Sequence, residues 1–381
     1  MVVVSHFLRW IDTARVSQRA AGAAALARAY VASELAFEDR CAAEAALTYL
    51  LDDPSAKVRY ALAEALAIHR LAPLQIIHAL ASDQDEIADL VLKRSPLLTD
   101  GDLIDRIAMG TEGVQCSIAG RALVSKSVAA AIAEVGCAEA CLVLLRNDGA
   151  DIASLSFRRM AERFGAIARL REALLADRRL PADCRHVLLV KLSEALKGAP
   201  LVVALMGGAR GERVMREACV KASLTLIEKT RADEHEALVE HLRLAGELTT
   251  AFIVRMVAHG KIDFFASVLG VLAGREAARV RALLATGRDL ALAALFRSAG
   301  LPESAHGVIL RALKIWREVA NGRRVAGTQE VSWLMLKELG ACPGQRGPAP
   351  HQAELAGLIR SIHLEVLREN ARGHALAIAA A

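Results

Sequence analysis

Apolar positions in this chain recur at helical spacing almost throughout. The clearest instance is Asp52–Ala67, DDPSAKVRYALAEALA, where Val58, Ala61, Leu62, Ala65 and Leu66 fall at i, i+3, i+4, i+7 and i+8. That spacing lays one alanine-rich stripe along one face of a helix, which a neighbouring helix can approach closely. Asp53 suits the N-cap and Pro54 the first helical position, so the pattern predicts a helix over 54–69. Before it, helices are expected over 18–31 and 35–51; after it, from Pro73 to Leu80 and again past Asp83. Ser95-Pro96 stops the latter, because proline pushes the residue before it out of the helical region. Thr99-Asp100 begins a helix running to Ile107, Ser125 or Ser127 caps another, and Gly136 ends it. Beyond Gly165 the pattern loosens but still predicts helices over 167–176, 182–197, 212–230, 233–246, 250–259, 262–273, 276–285, 289–299, 302–320 and 352–372. Nothing alternates like a strand for long. The expected fold class is all-α.

The stripe recurs. Ile87, Val114 and Ile152 take the place of Val58 at steps of 29, 27 and 38 residues, the last leaving room for one extra short helix. Such steps are the size of two-helix solenoid repeats. The Asp-capped loop, the Val58-Arg59 pair and the Ala/Leu stripe together resemble a HEAT-type repeat. Residues 18–320 also resemble a mainly alphaproteobacterial family, domain of unknown function 2336. The resemblance lies in DDPSAKVRYALAEALA, SPLLTDGDLI (Ser95–Ile104), SIAGRALVSKSV (Ser117–Val128), LLRNDGADI (Leu144–Ile152) and HGKIDFFASVLGVLAGREAARVRALL (His259–Leu284). It implies a HEAT-like alpha-solenoid N-terminal array followed by an irregular helical C-terminal region, and no activity. The expected divisions are a HEAT-like helical repeat domain over 1–175, a helical C-terminal domain over 176–320, and a tail over 321–381. The tail comprises the basic loop 321–330, a Pro/Gly linker over 341–352 and the terminal helix, and lies outside the resemblance.

Composition agrees with helix on helix. Hydrophobic residues are 54% of the chain but aromatics only 4%, so the apolar content is mainly Ala, Leu and Val, which favour helices over sheets. No apolar run approaches the roughly 18 residues of a membrane span, and the N-terminus lacks the ordered regions of a signal peptide. Seven cysteines without a Cys-x-x-Cys pair fit reduced thiols. A soluble, cytoplasmic protein is expected. Net charge is +5, unevenly spread: 14 basic against 20 acidic residues over 1–157, but 16 against 8 over 158–231. This acidic array and basic middle either complement each other or offer the middle to an anionic partner.

One regularity follows from the alignment. Seven residues beyond Ile87, Val114 and Ile152 stand Arg94, Arg121 and Arg159, where the reference copy has Ala65. Seven residues is nearly two turns, so these arginines lie near the apolar face. They form either an anion-binding stripe or an inter-repeat ladder, paired with acids such as Asp83, Asp85, Glu112 and Asp148. Arg59 would pair likewise with Asp83 or Asp85. Other constellations are weak. Gly207-Gly208-Ala209-Arg210-Gly211 lacks the Gly-Lys-Ser/Thr ending of a phosphate loop and reads as an inter-helix turn. Cys137 and Cys141 lack companions for a metal and read as small buried thiols. His235 and His241, six apart, face different directions and read as surface residues. His259-Gly260-Lys261 reads as helix stop and restart. Trp316 and Trp333 flank Arg323-Arg324 and read as packed on preceding helices. No catalytic or cofactor motif, metal set or membrane segment emerges. The expected function is a non-enzymatic interaction scaffold, a protein-binding helical-repeat module. The alternative is a nucleic-acid or phosphate-ligand binder using the arginine stripe and the basic 158–231 segment. Nothing sets an oligomeric state.

Overall fold

The apolar stripes fold as helices throughout a computed structural model of the protein, which describes residues 2–342 and 347–380. Among the described residues there are 23 α-helices, no β-strand, and one isolated parallel bridge between Val124 and Ala150. No described helix is long and apolar enough to cross a membrane. The chain divides into two compact units, 1–180 and 181–381.

The first unit contains α1 (Val2–Ile11), α2 (Val16–Ala32), α3 (Phe37–Tyr49), α4 (Ala56–Leu66), α5 (Leu74–Leu80) and α6 (Asp85–Arg94). It continues with α7 (Asp100–Met109), α8 (Glu112–Ala119), α9 (Lys126–Val135), α10 (Ala138–Arg146), α11 (Ser154–Phe164) and α12 (Ala168–Ala176). The even-numbered helices pack in series, α2 on α4, α4 on α6, and so on to α12; α7, α9 and α11 pack in series beside them. Each helix therefore buries one face against its row and one against the other row. The stripe that defines α4 is buried as its spacing requires: Val58, Leu62, Ala65 and Leu66 are all in the core.

Two expectations need correction here. Helix α4 begins at Ala56, not Pro54, and Asp53 does not cap it. The Asp53 carboxylate instead accepts from the Ser55 N–H at 2.8 Å and binds Arg19, so a turn replaces the expected first helical residues. And the 38-residue step spans one whole further helix of the even row. The extra short helix is α10, which continues the even row, so the α11 stretch that begins beyond Ile152 belongs to the other row.

The second unit contains α13 (Ala182–Lys197), α14 (Pro200–Met206), α15 (Gly208–Lys229), α16 (His235–Leu244), α17 (Thr250–Ala258) and α18 (Ile262–Ala273). It continues with α19 (Ala277–Thr286), α20 (Asp289–Ser298), α21 (Glu303–Ala320), α22 (Thr328–Glu338) and α23 (Ala353–Ala380). Its core is built on α17 and α18, apolar on nearly every face, with α16, α21, α22 and α23 around them. Helices α1, α14 and α22 were not expected from the pattern. The segment 321–381 is no loose tail: Val331, Met335, Ala356, Ile359 and Ile362 from α22 and α23 are buried in this core. Residues 343–346 of the expected 341–352 linker lie outside the described residues.

The stop and restart at His259–Lys261 closes as a helix C-terminal motif. Gly260 N–H reaches Val257 O at 3.0 Å, Lys261 N–H reaches Met256 O at 3.1 Å, and Gly260 takes φ +73°. A Cβ at Gly260 would also press within 3.1 Å of the Trp316 ring. The Trp316 indole in turn donates to Val257 O at 2.8 Å, tying α21 to the end of α17.

Candidate functional site

The last carbonyls of a helix lack intrahelical donors and form the negative end of its dipole, so guanidinium and amide donors suit them. The first unit uses this at both ends of its helix rows. At one end, Arg121, just past α8, donates to Leu92 O and, at 2.8 Å, to Ser95 O, the final carbonyls of α6. Asn147, just past α10, repeats the act on α8, donating to Ala119 O at 2.9 Å and Arg121 O at 2.7 Å. Arg179, past α12, donates to Ala150 O at 2.9 Å and Leu145 O at 3.3 Å while Asp177 holds it at 2.8 Å. The main chain joins in: Val124 N–H donates to Gly149 O, and Asp151 N–H to Val124 O at 2.9 Å. Ser125 and Ser127 both donate to Asp100 at 2.6 Å. Successive connections at this end are thus bonded one to the next.

The opposite end carries a second ladder. Arg19 grips Asp53 at 2.7 and 3.0 Å, and Arg59 grips Asp83 at 2.6 and 2.9 Å while donating to Asp53 O at 2.7 Å. Arg106 donates to Ala81 O and His78 O, the end of α5. The Gln115 amide donates to Ile107 O and accepts from Cys137 N–H, each at 2.8 Å. Arg163 donates to Ala133 O at 2.7 Å and Gly136 O at 2.9 Å, the end of α9. Arg19 holds the Asp53 carboxyl below its ordinary range. Asp83 also ends below it, because Arg59 and the Gln84 N–H outweigh the upward push of burial.

The structure does not bring Arg94, Arg121 and Arg159 together as one stripe. Arg94 ends α6 and is exposed. Arg121 is half-buried and caps α6 through carbonyls, not an acid, and burial pushes its pKa down. Arg159 stands in the other row and pairs with Glu134 at 2.7 Å. Of the proposed acids, Asp83 takes Arg59, whereas Asp85 and Asp148 are exposed. The ladder members missed by the alignment are Arg19, Arg106, Gln115, Asn147, Arg163 and Arg179. Much of the basic run also turns inward or pairs locally: Arg163 and Arg179 cap helix ends, Arg169 meets Glu139 at 3.0 Å, and Arg171 bonds Gly165 O at 3.0 Å.

The second unit holds a cleft of about 470 Å³ bounded by α13, α15, α17, α23 and the turn between α16 and α17. Behind two of its lining residues, buried His186 places Nε2 3.1 Å from Ser223 Oγ and 3.3 Å from Glu247 Oε2, with Nδ1 3.2 Å from His241 Nε2. Serine and carboxylate share one ring nitrogen, and the serine hydroxyl donates back to Cys219 O at 2.9 Å. A hydrolytic triad needs them on opposite nitrogens, so this grouping is not one. The hydrogen bond from His186 holds the Glu247 carboxyl below its ordinary value. His235 and His241 are not surface residues. His235 is buried with its ring edge on Phe264, and His241 is half-buried against His186. Burial of both follows from α16 packing on α18 and α13, pairings that no local pattern reveals.

A family profile described as an uncharacterised protein conserved in bacteria, domain of unknown function 2336, matches residues 87–336. The chain belongs to that family. No curated protein and no solved structure matches it. The matched span begins after DDPSAKVRYALAEALA and runs past residue 320 to the last turn of α22. Two stretches within the span carry the first ladder. SIAGRALVSKSV contains Arg121, Ser125 and Ser127, together with Ser117, which donates to Asp89 at 2.5 Å. LLRNDGADI contains Asn147 and Gly149. A Cβ at Gly149 would lie 1.9 Å from Ala122 O, so this member requires glycine where the two connections cross.

The remaining candidates fall into structural roles. Gly207, at φ +71°, forms the junction of α14 and α15. Cys137 caps α10 through its sulfur, and burial raises the Cys141 thiol to about 12. Arg324 pairs with Glu318 and Glu330; Trp316 packs as expected, but Trp333 does not, being exposed on α22 with Lys337 over its ring.

Proposed function

We propose that this chain is a non-enzymatic interaction scaffold whose first unit is a HEAT-like solenoid presenting a protein-binding edge. Two series-packed helix rows, with ladder partners mostly 24 to 34 residues apart, support the solenoid reading. The observation that carries the binding reading is the edge held by Arg121, Asn147 and Arg179. Leu123 and Leu155 stand there 79% and 76% exposed. Leu71 and Phe37 are likewise exposed at the corresponding connections before α5 and α3. Isolated exposed apolar residues are ordinary, but their return at four connections along one edge of the array, all but the one between α6 and α7, is the pattern of an anchor row. The ladder supplies the rigidity such a row needs, and it occupies arginines that an anion-binding stripe would require. The proposal places the protein in the cytoplasm, in keeping with cysteines that form no disulfide among the described residues.

A photo-crosslinking residue at position 123 or 155 tests this in native lysate. The expected result is one stoichiometric protein adduct, lost on Leu123→Asp or Leu155→Asp without a change in melting temperature. A salt titration against random duplex DNA runs alongside. No protein adduct, together with DNA affinity that falls steeply with salt, would replace the scaffold by the anion-binding alternative.

A further inference from the structure

The cleft in the second unit has a built gradient of chemistry. On α13, Val190, Ser193, Glu194 and Lys197 follow at i, i+3, i+4 and i+7; on α15, Arg216, Cys219, Val220 and Ser223 do the same. Each set is one helix face turned to the cleft. The two sequences run in opposite senses. Ser193 and Ser223 are buried, while Lys197 and Arg216 are both exposed. Ala251, Phe252 and Leu358 complete an apolar wall.

The polar groups are unevenly satisfied. Glu247 has His186, and Arg255 has Glu365 at 2.5 Å. Lys197 and Arg216 make no ion pair among the described residues. Ser193 is only 9% exposed, and among the described residues its Oγ has no partner at full hydrogen-bond geometry, the Cys219 thiol beside it being the nearest to one. Folded proteins rarely leave a buried hydroxyl without a partner. This one lines a cleft of ligand size, one helical turn below two cations.

We infer that the cleft binds an amphiphilic organic carboxylate. The Ser193 hydroxyl donates to the carboxylate, Lys197 and Arg216 balance its charge, and the aliphatic body lies on Val190, Val220, Phe252 and Leu358. This inference does not depend on the scaffold reading, which concerns the other unit.

Decanoate is a suitable probe, used with the full chain and two readouts. Calorimetric titration is expected to give saturable binding of one decanoate per chain. Saturating decanoate is also expected to slow alkylation of Cys219 severalfold, read peptide by peptide, and to leave the exposed Cys41 unchanged. Ser193→Ala should weaken binding about three- to tenfold, the usual worth of one hydrogen bond. Decanol, of the same length without the charge, should bind at least about tenfold more weakly. Ala251→Phe should fill the cleft and abolish both signals. Should that variant fail to fold by circular dichroism, the exposed Arg216→Glu replaces it, with the same loss of affinity expected. The inference is overturned by the absence of saturable binding, by binding that leaves Cys219 reactivity and the Ser193→Ala affinity unchanged, or by equal affinity for decanol.

Discussion

Arg121, just past α8, satisfies the end of α6. Its fork reaches Leu92 O and Ser95 O together, and Ser95 is fully buried. Arg121→Ala leaves both carbonyls of α6 without that donor, which costs about 1–3 kcal/mol. Arg121→Lys should recover only part, because a single ammonium cannot present two fixed donors. Arg94→Ala, at an exposed helix terminus, should change stability by less than about 0.5 kcal/mol. Thermal unfolding of the three variants checks this, and equal melting points for Arg121→Ala and Arg94→Ala would defeat the capping account. The opposite ladder has a pH signature. Asp53 and Asp83 have folded pKa values below their unfolded ones, so their contribution is fully present above the unfolded value near about 4. It is lost as pH falls through the lower folded values. Acid unfolding of the first unit should therefore begin below about pH 4. In Arg59→Gln, the part due to Asp83 should shrink in the pH dependence of the melting temperature, because only the Gln84 N–H then opposes burial. Burial raises Cys116 to about 11 and Cys141 to about 12, so both should stay unalkylated at pH 8 until the chain unfolds.

The elements show what periodicity can and cannot see. The bounds of α13 and α18 coincide with the expected 182–197 and 262–273, because proline or glycine and a clean apolar stripe mark those helices. Alignment also found Arg121 as a position of interest, but it looked for an acid to pair with it. The true partners are carbonyls at a helix end, which leave no mark in side-chain identity. The same blindness hid Asn147: an amide does the work of a guanidinium there, so a search for arginines skips it. Arg159 was admitted in its place because the stripe alone cannot tell the even row from the odd. The cleft was missed for a different reason. The faces of α13 and α15 are each readable at i, i+3, i+4 and i+7, but their opposition is a contact between elements. The connection before α11 offers a sharp test at this scale. A Cβ on Gly149 would meet Ala122 O at 1.9 Å, and the bonds of Val124 to Gly149 and Asp151 depend on that approach. Gly149→Ala must push the two connections apart, at a cost on the order of 1–3 kcal/mol or more. Hydrogen exchange should show lost protection at Val124 and Asp151 before any other amide of the first unit; unaltered protection there would show that the crossing relaxes freely.

At the scale of the whole molecule, the family match ends at residue 336, yet the second unit does not. Helix α23 lies beyond the match and supplies Ala356, Ile359 and Ile362 to the core, all essentially inaccessible to solvent. Glu365 on the same helix holds Arg255 of α17 at 2.5 Å, and Ser332 of α22 lies 3.0 Å from His363. Deleting 348–381 would thus remove the partner of the largely buried Arg255 guanidinium, which costs about 2–3 kcal/mol with Glu365 itself half-exposed. Ile359 and Ile362 would add about 1.5–3 kcal/mol each for their lost burial. That sum reaches the 5–15 kcal/mol by which an ordinary domain is stable, so the second unit should lose its native packing. The deletion leaves every ladder residue of the first unit in place, from Arg19 to Arg179. Hydrogen exchange of the truncated chain is therefore expected to show α17, α18 and α22 exposed, with protection of α4 to α12 retained. If α17 and α18 keep their protection, the core is sustained without α23, and the helix is an appendage after all.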